Sequence, residues 1–167
     1  DAGATATDTF SITVANTNDA PTIDSTAVTS VDEDSVYSYT ATGADVDSGD
    51  TLTLSSSPPS WLTFTPSTGV LTGTPTNDEV GSHSVTITVT DAAGATGSQT
   101  FSITVANTND APTITSTAGT AVDEDATYSY PITTSDVDVG DTMAITFVCA
   151  TCDDGTGTSF LSITDNG

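Results

Sequence analysis

A long internal repeat constrains the fold of this chain more than any other feature. The fourteen residues 10–23, FSITVANTNDAPTI, return unchanged as residues 101–114, an offset of 91 positions. The same offset separates DVDSGDT at Asp45 from DVDVGDT at Asp136. Solenoid repeats are about 20 to 50 residues long, whereas a β-sandwich domain has about 100. The sequence therefore predicts a tandem array in which each repeat is a separate domain.

The register of the repeat divides the chain into three parts. Residues 1–19 are predicted to be the C-terminal strand and linker of a preceding repeat, 20–110 one complete β-sandwich repeat, and 111–167 the N-terminal part of a following repeat. The sequence has no initiator Met and no signal-like start, and no run approaches the roughly 20 apolar residues of a membrane span. We therefore interpret it as an internal segment of a longer protein.

Alternation of apolar residues with Thr or Ser predicts antiparallel strands in the complete repeat. The two clearest segments are Val85–Thr90 and Phe101–Val105, which an Asp-Ala-Ala-Gly turn at Asp91 joins. No segment has helical periodicity, so the predicted fold class is all-β, with tandem Ig-like antiparallel β-sandwich domains. Shorter strands are expected at Ser35–Thr42, Thr51–Ser55, Trp61–Phe64 and Gly69–Gly73.

Trp61 is the only tryptophan, and its role has two interpretations. An exposed aromatic ring flanked by polar groups suits the face of a sugar, which would make Trp61 a glycan-stacking platform. Its neighbour Leu62 favours a place in the core instead. The bulk of the predicted core comes from Tyr39, Trp61, Leu62, Phe64, Leu71, Ile87 and Phe101.

The charge balance excludes several classes of function. The chain has no Lys or Arg, 23 Asp or Glu and one His, for a formal net charge of −23. Nucleic acids and anionic membranes bind through Lys and Arg, so neither is an expected partner. Schiff-base chemistry, Lys–Asn isopeptide crosslinks and bidentate phosphate binding need the same missing residues. Each carboxylate must therefore be solvated, hydrogen-bonded to neutral donors or neutralised by an ion from solution.

Acidic residues and asparagines are clustered, as calcium sites require. Calcium takes six to eight hard oxygen ligands from carboxylates, amides and backbone carbonyls. An EF-hand is excluded because the twelfth position of the loop that begins at Asp45 is Ser56, where a bidentate Glu would be needed. The clusters are Asn16–Asp19, Asp32–Asp34, Asp45 with Asp47 and Asp50, Asn77–Glu79, and Asp91.

Cys149 and Cys152 are the only cysteines and form a single C-x-x-C motif. A zinc site would need a second ligand pair, which the sequence lacks. Two alternatives stay open, namely a local disulfide in an oxidising compartment and two free thiols.

The order of these motifs along the chain resembles that of cadherin repeats. The linker NTNDAP is similar to the cadherin D-x-N-D-N-A-P, VDED at Val31 to V-x-E-[ND], and GADVDSGDT at Gly43 to A-x-D-x-D-x-G-x-N. The segment from Trp61 to Gly94 resembles the putative-Ig, or dystroglycan-type cadherin-like, repeats of large bacterial surface proteins. Three features depart from the cadherin pattern. Asn16 stands where the family has Asp, the linker is one Asn short before Ala-Pro, and Thr51 replaces the Asn that closes the D-x-D motif.

The resemblance implies calcium at the junctions between consecutive domains, held by both domains and the linker. For the junction before the complete repeat it implies Asn16, Asn18, Asp19, Asp45, Asp47 and Asp91. For the junction after that repeat it implies Glu33, Asp78 or Glu79, Asn107, Asn109, Asp110, Asp136 and Asp138. Glu124 would serve a further junction.

The expected function is that of a calcium-stiffened extracellular stalk or fibre repeat of a large surface protein, with a structural or adhesive role. The expected partners are neighbouring repeats of the same chain, copies of the chain in a fibre, or a surface glycan. The alternative is a calcium-dependent carbohydrate-binding module of a secreted polysaccharide-degrading enzyme. A third interpretation makes the acidic clusters a solvated, solubilising surface. Catalysis by His83 with Ser82 or Ser84 is not expected, because neighbours in a strand point to opposite faces.

Overall fold

The computed structural model describes residues 2–123 and 126–146, and its contacts divide the chain into two units, 1–108 and 109–167. Predictions on Glu124, Cys149 and Cys152 lie outside the described residues. Among the described residues, no helix is long and apolar enough to cross a membrane. The first unit contains residues 20–108 of the predicted repeat.

The first unit is built from nine strands and one 3₁₀ turn. The turn spans Asn77–Glu79 and lies between the seventh and eighth strands. The strands are β1 (Thr22–Ile23), β2 (Ser30–Asp32), β3 (Tyr37–Thr40), β4 (Gly43–Ala44), β5 (Thr53–Ser56), β6 (Leu62–Thr65), β7 (Val70–Gly73), β8 (Gly81–Thr90) and β9 (Thr96–Ala106).

Two sheets make up the body of the unit. One has four strands in the order β2-β9-β8-β5, and the other has three in the order β3-β7-β6. The two long strands β8 and β9 form an antiparallel hairpin whose register runs from Gly81 opposite Val105 to Thr90 opposite Thr96. The short strand β2 joins the free edge of β9 in parallel, and β1 pairs with β4.

The core lies between the two sheets. Alternate residues of β8 and β9, such as Val85, Ile87 and Ile103, point inward and are fully buried, as their period-two pattern predicts. They pack against residues of the three-stranded sheet, including Tyr37 and Leu71. The outward positions of the same hairpin carry Ser and Thr, so one face of the sheet is apolar and the other is hydroxylated.

Buried tyrosines fix the loops that precede β3. The Tyr37 hydroxyl donates to the Val28 carbonyl (2.8 Å), and burial raises the pKa of Tyr37 to about 12, so the group remains a donor. The Tyr39 hydroxyl lies 2.7 Å from the Ser25 hydroxyl and 2.8 Å from Gln99 Oε1. These hydrogen bonds satisfy the polar ends of two otherwise buried rings.

Trp61 belongs to the core. Its ring meets Tyr37 edge-on at 6.0 Å and His83 at 5.7 Å, and it packs against the buried cluster. His83 is half-buried, and its Nε2 lies 2.6 Å from the Glu79 carbonyl oxygen. These contacts favour the structural interpretation of Trp61 over the glycan platform.

The predicted all-β fold is confirmed, and the strand predictions of the complete repeat hold with shifted ends. The hairpin strands are longer than predicted, and the short strands β1, β2 and β4 were not predicted. Residues 2–20 form no strand, and the side chains of Phe10, Ile12 and Val14 are exposed. Their counterparts in β9, Phe101, Ile103 and Val105, pair with β8.

The second unit repeats the local structure of the first. Strand β10 (Thr113–Ile114) pairs antiparallel with β11 (Thr134–Ser135), as β1 pairs with β4 at positions 91 residues earlier. The Tyr128 hydroxyl donates to the Gly119 carbonyl (2.7 Å), which reproduces the Tyr37 contact. These positions, which are 91 residues apart in the sequence, therefore have the same local structure in the two units.

Candidate metal site

Three aspartates converge in the DxDxGD loop, residues 45–50, which connects β4 to β5. Asp45, Asp47 and Asp50 each offer a carboxylate oxygen, and these oxygens all lie within 4.8 Å of one another. The loop turns sharply because the Asp47 N–H donates to Asp45 Oδ1 (2.8 Å) and Gly49 adopts a φ of 96°. The DxDxGD sequence thus brings three carboxylates to one side of a tight turn.

The N-terminal linker, residues 16–19, lies against this loop. Asn16 Nδ2 donates to Asp47 Oδ1 (2.8 Å), and the Asp19 N–H donates to Asp47 Oδ2 (2.8 Å). Both oxygens of Asp47 therefore accept a hydrogen bond from the linker.

Asp91 is buried at the end of β8, where the chain turns toward β9. Its Oδ1 accepts from the Ala95 N–H (2.8 Å), and its Oδ2 accepts from Asn18 Nδ2 (2.9 Å). The hydrogen bond from Asn18, followed by those from the backbone of the turn, holds the pKa of Asp91 below its ordinary value. Asp91 is therefore ionised at neutral pH and connects the turn to the linker.

Two carboxylate oxygens of the site have no protein donor. Asp45 Oδ2 and Asp50 Oδ2 are buried and accept no hydrogen bond within the described part of the chain. Partial burial, followed by the nearby charges of Asp45, Asp91 and Asp47, raises the pKa of Asp50. Leaving buried carboxylate oxygens without a partner is costly, so the site is incomplete with protein atoms alone.

The donor set fits a hard divalent cation. Carboxylate and amide oxygens surround the loop, and the chain has no Lys or Arg that could neutralise them. Zinc prefers nitrogen and sulfur ligands, whereas calcium prefers carboxylate and carbonyl oxygens. The two orphaned oxygens are the observation that makes calcium a chemically suitable occupant.

The same arrangement recurs in the second unit. Asp136, Asp138 and Asp141 offer oxygens within 4.8 Å of one another, and the Asp138 N–H donates to Asp136 Oδ1 (3.0 Å). The Asp110 N–H donates to Asp138 Oδ2 (2.6 Å), as Asp19 does to Asp47 in the first unit. Asn109 Nδ2 donates to the Asp110 carbonyl, which matches Asn18 and Asp19.

The other predicted residues of the first unit lie near its C-terminal end. Glu33 is buried, its Oε1 accepts from the Thr108 N–H, and its Oε2 has no hydrogen-bond partner within the described residues. Asn77 Nδ2 donates to Asn107 Oδ1 (3.2 Å).

Glu79 and Asp78 have different environments, although the sequence treats them as alternatives. Glu79 Oε2 accepts from the N–H and the hydroxyl of Thr76 (2.9 and 2.8 Å) and caps the 3₁₀ turn. The backbone N–H of Thr76, then its hydroxyl, lowers the pKa of Glu79. Asp78 is exposed, and its carboxylate is not used as a cap. Of the two, Asp78 is better placed to meet an ion from solution.

Asp50 and Asp141 were missing from the predicted ligands, although the structure places both in carboxylate clusters. The cadherin pattern places the closing ligand at the position after Asp50, which is Thr51 and cannot supply a carboxylate. The signal that could have found them is the Gly-Asp pair, which both repeats retain at positions 49–50 and 140–141.

The fold and the site define an Ig-like β-sandwich repeat with acidic loops. The Putative Ig domain family model matches residues 20–106, and the chain belongs to that family. No curated protein matches this sequence.

Several solved structures are similar to parts of this chain. An endo-fucoidan hydrolase of glycoside hydrolase family 107 is 29% identical with a TM-score of 0.45, and the match covers 53% of this chain and 14% of the hydrolase. The SrpA adhesin of Streptococcus sanguinis is 20% identical with a TM-score of 0.44, over 63% of this chain and 68% of the adhesin. The protocadherin GammaB4 extracellular domain is 19% identical with a TM-score of 0.43, and the match covers 72% of this chain and 24% of the protocadherin chain.

Proposed function

We propose that this chain is a calcium-stiffened repeat of an extracellular stalk or fibre, with a structural or adhesive and non-enzymatic role. The observation that carries the proposal is the pair of buried, unpartnered oxygens on Asp45 and Asp50 beside Asp47. The recurrence of the same cluster at Asp136, Asp138 and Asp141 supports it, since a chance cluster need not be repeated.

Calcium would be held in the first unit by Asp45, Asp47 and Asp50, with Asp91 and the linker close by. Bound there, the ion supplies positive charge that offsets the mutual repulsion of the carboxylates. The Asp47 N–H donates to Asp45 and the Asp19 N–H donates to Asp47, and these hydrogen bonds fix the loop. The ligands are therefore ordered before the ion binds. An ordered site loses less entropy when the ion binds.

The proposed stiffening follows from where the site lies. Residues 16–19 hydrogen-bond to the DxDxGD loop and to Asp91, so the site includes the chain that enters the domain. An ion that holds the loop and the linker together restricts the angle at which a preceding domain can emerge. Extracellular modules bind calcium with dissociation constants of about 0.1 to 1 mM, which suits a stalk that is stiff outside the cell and loose within it.

The stiffening is tested on a tandem of two copies of residues 20–110, joined through their own linker and carrying one spin label in each copy. In millimolar calcium we expect a narrower distribution of label-to-label distances than in EDTA, because the ion adds to the hydrogen bonds that already hold the linker. The matched control replaces Asp45 and Asp50 of the second copy with Asn and should have the same width in both conditions. Equal widths with and without calcium in the unmodified tandem would contradict the proposal.

A further inference from the structure

Asn16 and Asn18 present nitrogen rather than oxygen to the acidic site. Asn16 Nδ2 donates to Asp47 Oδ1 at 2.8 Å, and Asn18 Nδ2 donates to Asp91 Oδ2 at 2.9 Å. Amide nitrogen is a hydrogen-bond donor and cannot be a calcium ligand. In this arrangement the two asparagines serve as hydrogen-bond donors to carboxylates.

The carboxylates of the site therefore divide into two kinds. Both oxygens of Asp47 and both oxygens of Asp91 accept hydrogen bonds from neutral N–H groups of the linker or the turn. Asp45 and Asp50 each retain one buried oxygen that has no donor among the described residues. Asp47 and Asp91 thus hold the linker by hydrogen bonds, and the unpartnered oxygens of Asp45 and Asp50, beside Asp47, are left for an ion.

We infer that Asn16 and Asn18 are positioning residues that dock the linker on the domain without a metal, and that calcium enters a site whose linker is already in place. The docking half of this inference stands on hydrogen bonds alone, and the calcium half rests on the proposed function. Hydrogen bonds to ionised groups are the stronger kind, so two amides and the Asp19 N–H can offset part of the carboxylate repulsion.

Charge explains why asparagine matters at these two positions. Asp45, Asp47, Asp50 and Asp91 already bring four carboxylates close together, and the chain has no Lys or Arg. Aspartate at position 16 or 18 would replace a donor by another negative charge beside Asp47 or Asp91. A linker with aspartates would then leave the domain unless a cation were present, whereas the asparagines make docking independent of calcium.

The reporter for docking is the backbone amide of Asp19, which donates to Asp47 Oδ2 (2.8 Å). Hydrogen exchange of this amide is followed by NMR on the full 167-residue chain, in EDTA and in millimolar calcium chloride. In EDTA we expect exchange about tenfold slower than for an unprotected amide, because a hydrogen bond to a carboxylate resists opening by about that factor. Exchange at the unprotected rate in EDTA would overturn the inference.

Two variants separate the roles of charge and hydrogen bonding. In Asn16→Asp with Asn18→Asp, the Asp19 amide should lose its protection in EDTA and regain it in calcium. In Asn16→Ala with Asn18→Ala, protection of the Asp19 amide should also fall in EDTA. Here the cause is the loss of two hydrogen bonds alone, since alanine adds no negative charge. The matched control is Asn107→Asp with Asn109→Asp in the second linker copy, which should leave the Asp19 amide unchanged. Full protection of Asp19 in EDTA in either variant of residues 16 and 18 would overturn the inference.

The outcomes for docking and for calcium are distinguishable. Protection of Asp19 in EDTA together with no response of any variant to calcium supports metal-independent docking and contradicts the proposed function. Protection of Asp19 that appears only in calcium supports the metal site and overturns the docking role of the asparagines.

Discussion

Replacing Ile87 with alanine is expected to lower the free energy of unfolding of the first unit by about 2–5 kcal/mol, the usual cost of removing a large buried aliphatic side chain. Ile87 is fully buried at the centre of β8 and packs in the cluster that joins the two sheets. The loss combines the transfer of its methylene groups to water with the cavity left behind. Denaturation by urea, followed by circular dichroism in EDTA, measures the change.

The matched control for Ile87 is Ser84→Ala on the same strand. Ser84 is exposed on the hydroxylated face, so its replacement should change the free energy of unfolding by less than about 0.5 kcal/mol. If Ile87→Ala and Ser84→Ala had similar effects, the position of the core between the two sheets would be wrong.

Gly69→Ala is expected to lower the free energy of unfolding by about 2–5 kcal/mol, from left-handed backbone strain of about 1–2 kcal/mol and overpacking of about 1–3 kcal/mol. Gly69 has a φ of 70°, and a Cβ added there would lie 2.2 Å from the Ala41 carbonyl oxygen. The clash is with backbone that pairs with β7, since the Ala41 N–H donates to the Gly69 carbonyl (2.9 Å). The sheet must shift to admit the methyl group.

The control for Gly69 is Gly94→Ala, measured in EDTA by the same denaturation. Gly94 has a φ of 94°, but a Cβ there would meet nothing within 4 Å. It should therefore show the backbone strain without the clash, and a loss for Gly69→Ala no larger than that for Gly94→Ala would contradict the close approach to Ala41.

The sequence predicts the strands best where side chains alternate strictly. Val85–Thr90 and Phe101–Val105 alternate, and both lie within β8 and β9. The hairpin extends through Gly81–Ser84, which has no alternation, because its backbone continues the ladder beside β9. Strand β2 has only three residues, and its parallel pairing depends on where the chain crosses the edge of β9. Neither feature has a local signal.

The site is predictable in composition but not in detail. The repeat and the cadherin pattern identify Asp45, Asp47 and Asp91. The structure places Asp47 and Asp91 against one linker and Asp45 beside Asp47. Asp50 was missed because the pattern favours its neighbour, which is Thr51. Whether Asn16 and Asn18 present nitrogen or oxygen depends on which carboxylates they face, and that follows only from the folded turn at Asp91 and the loop at Asp45.

The most direct test of the account is a calcium titration of the 167-residue chain by isothermal calorimetry, paired with thermal unfolding in calcium and in EDTA. We expect binding with a dissociation constant of about 0.1 to 1 mM, and a melting temperature raised by about 5–10 °C at calcium tenfold above that constant. A variant with Asp45, Asp50, Asp136 and Asp141 replaced by Asn should lose both responses. Absence of binding heat and of any rise in melting temperature in the unmodified chain would show that these carboxylates are a solvated surface and would contradict the calcium-stiffened repeat.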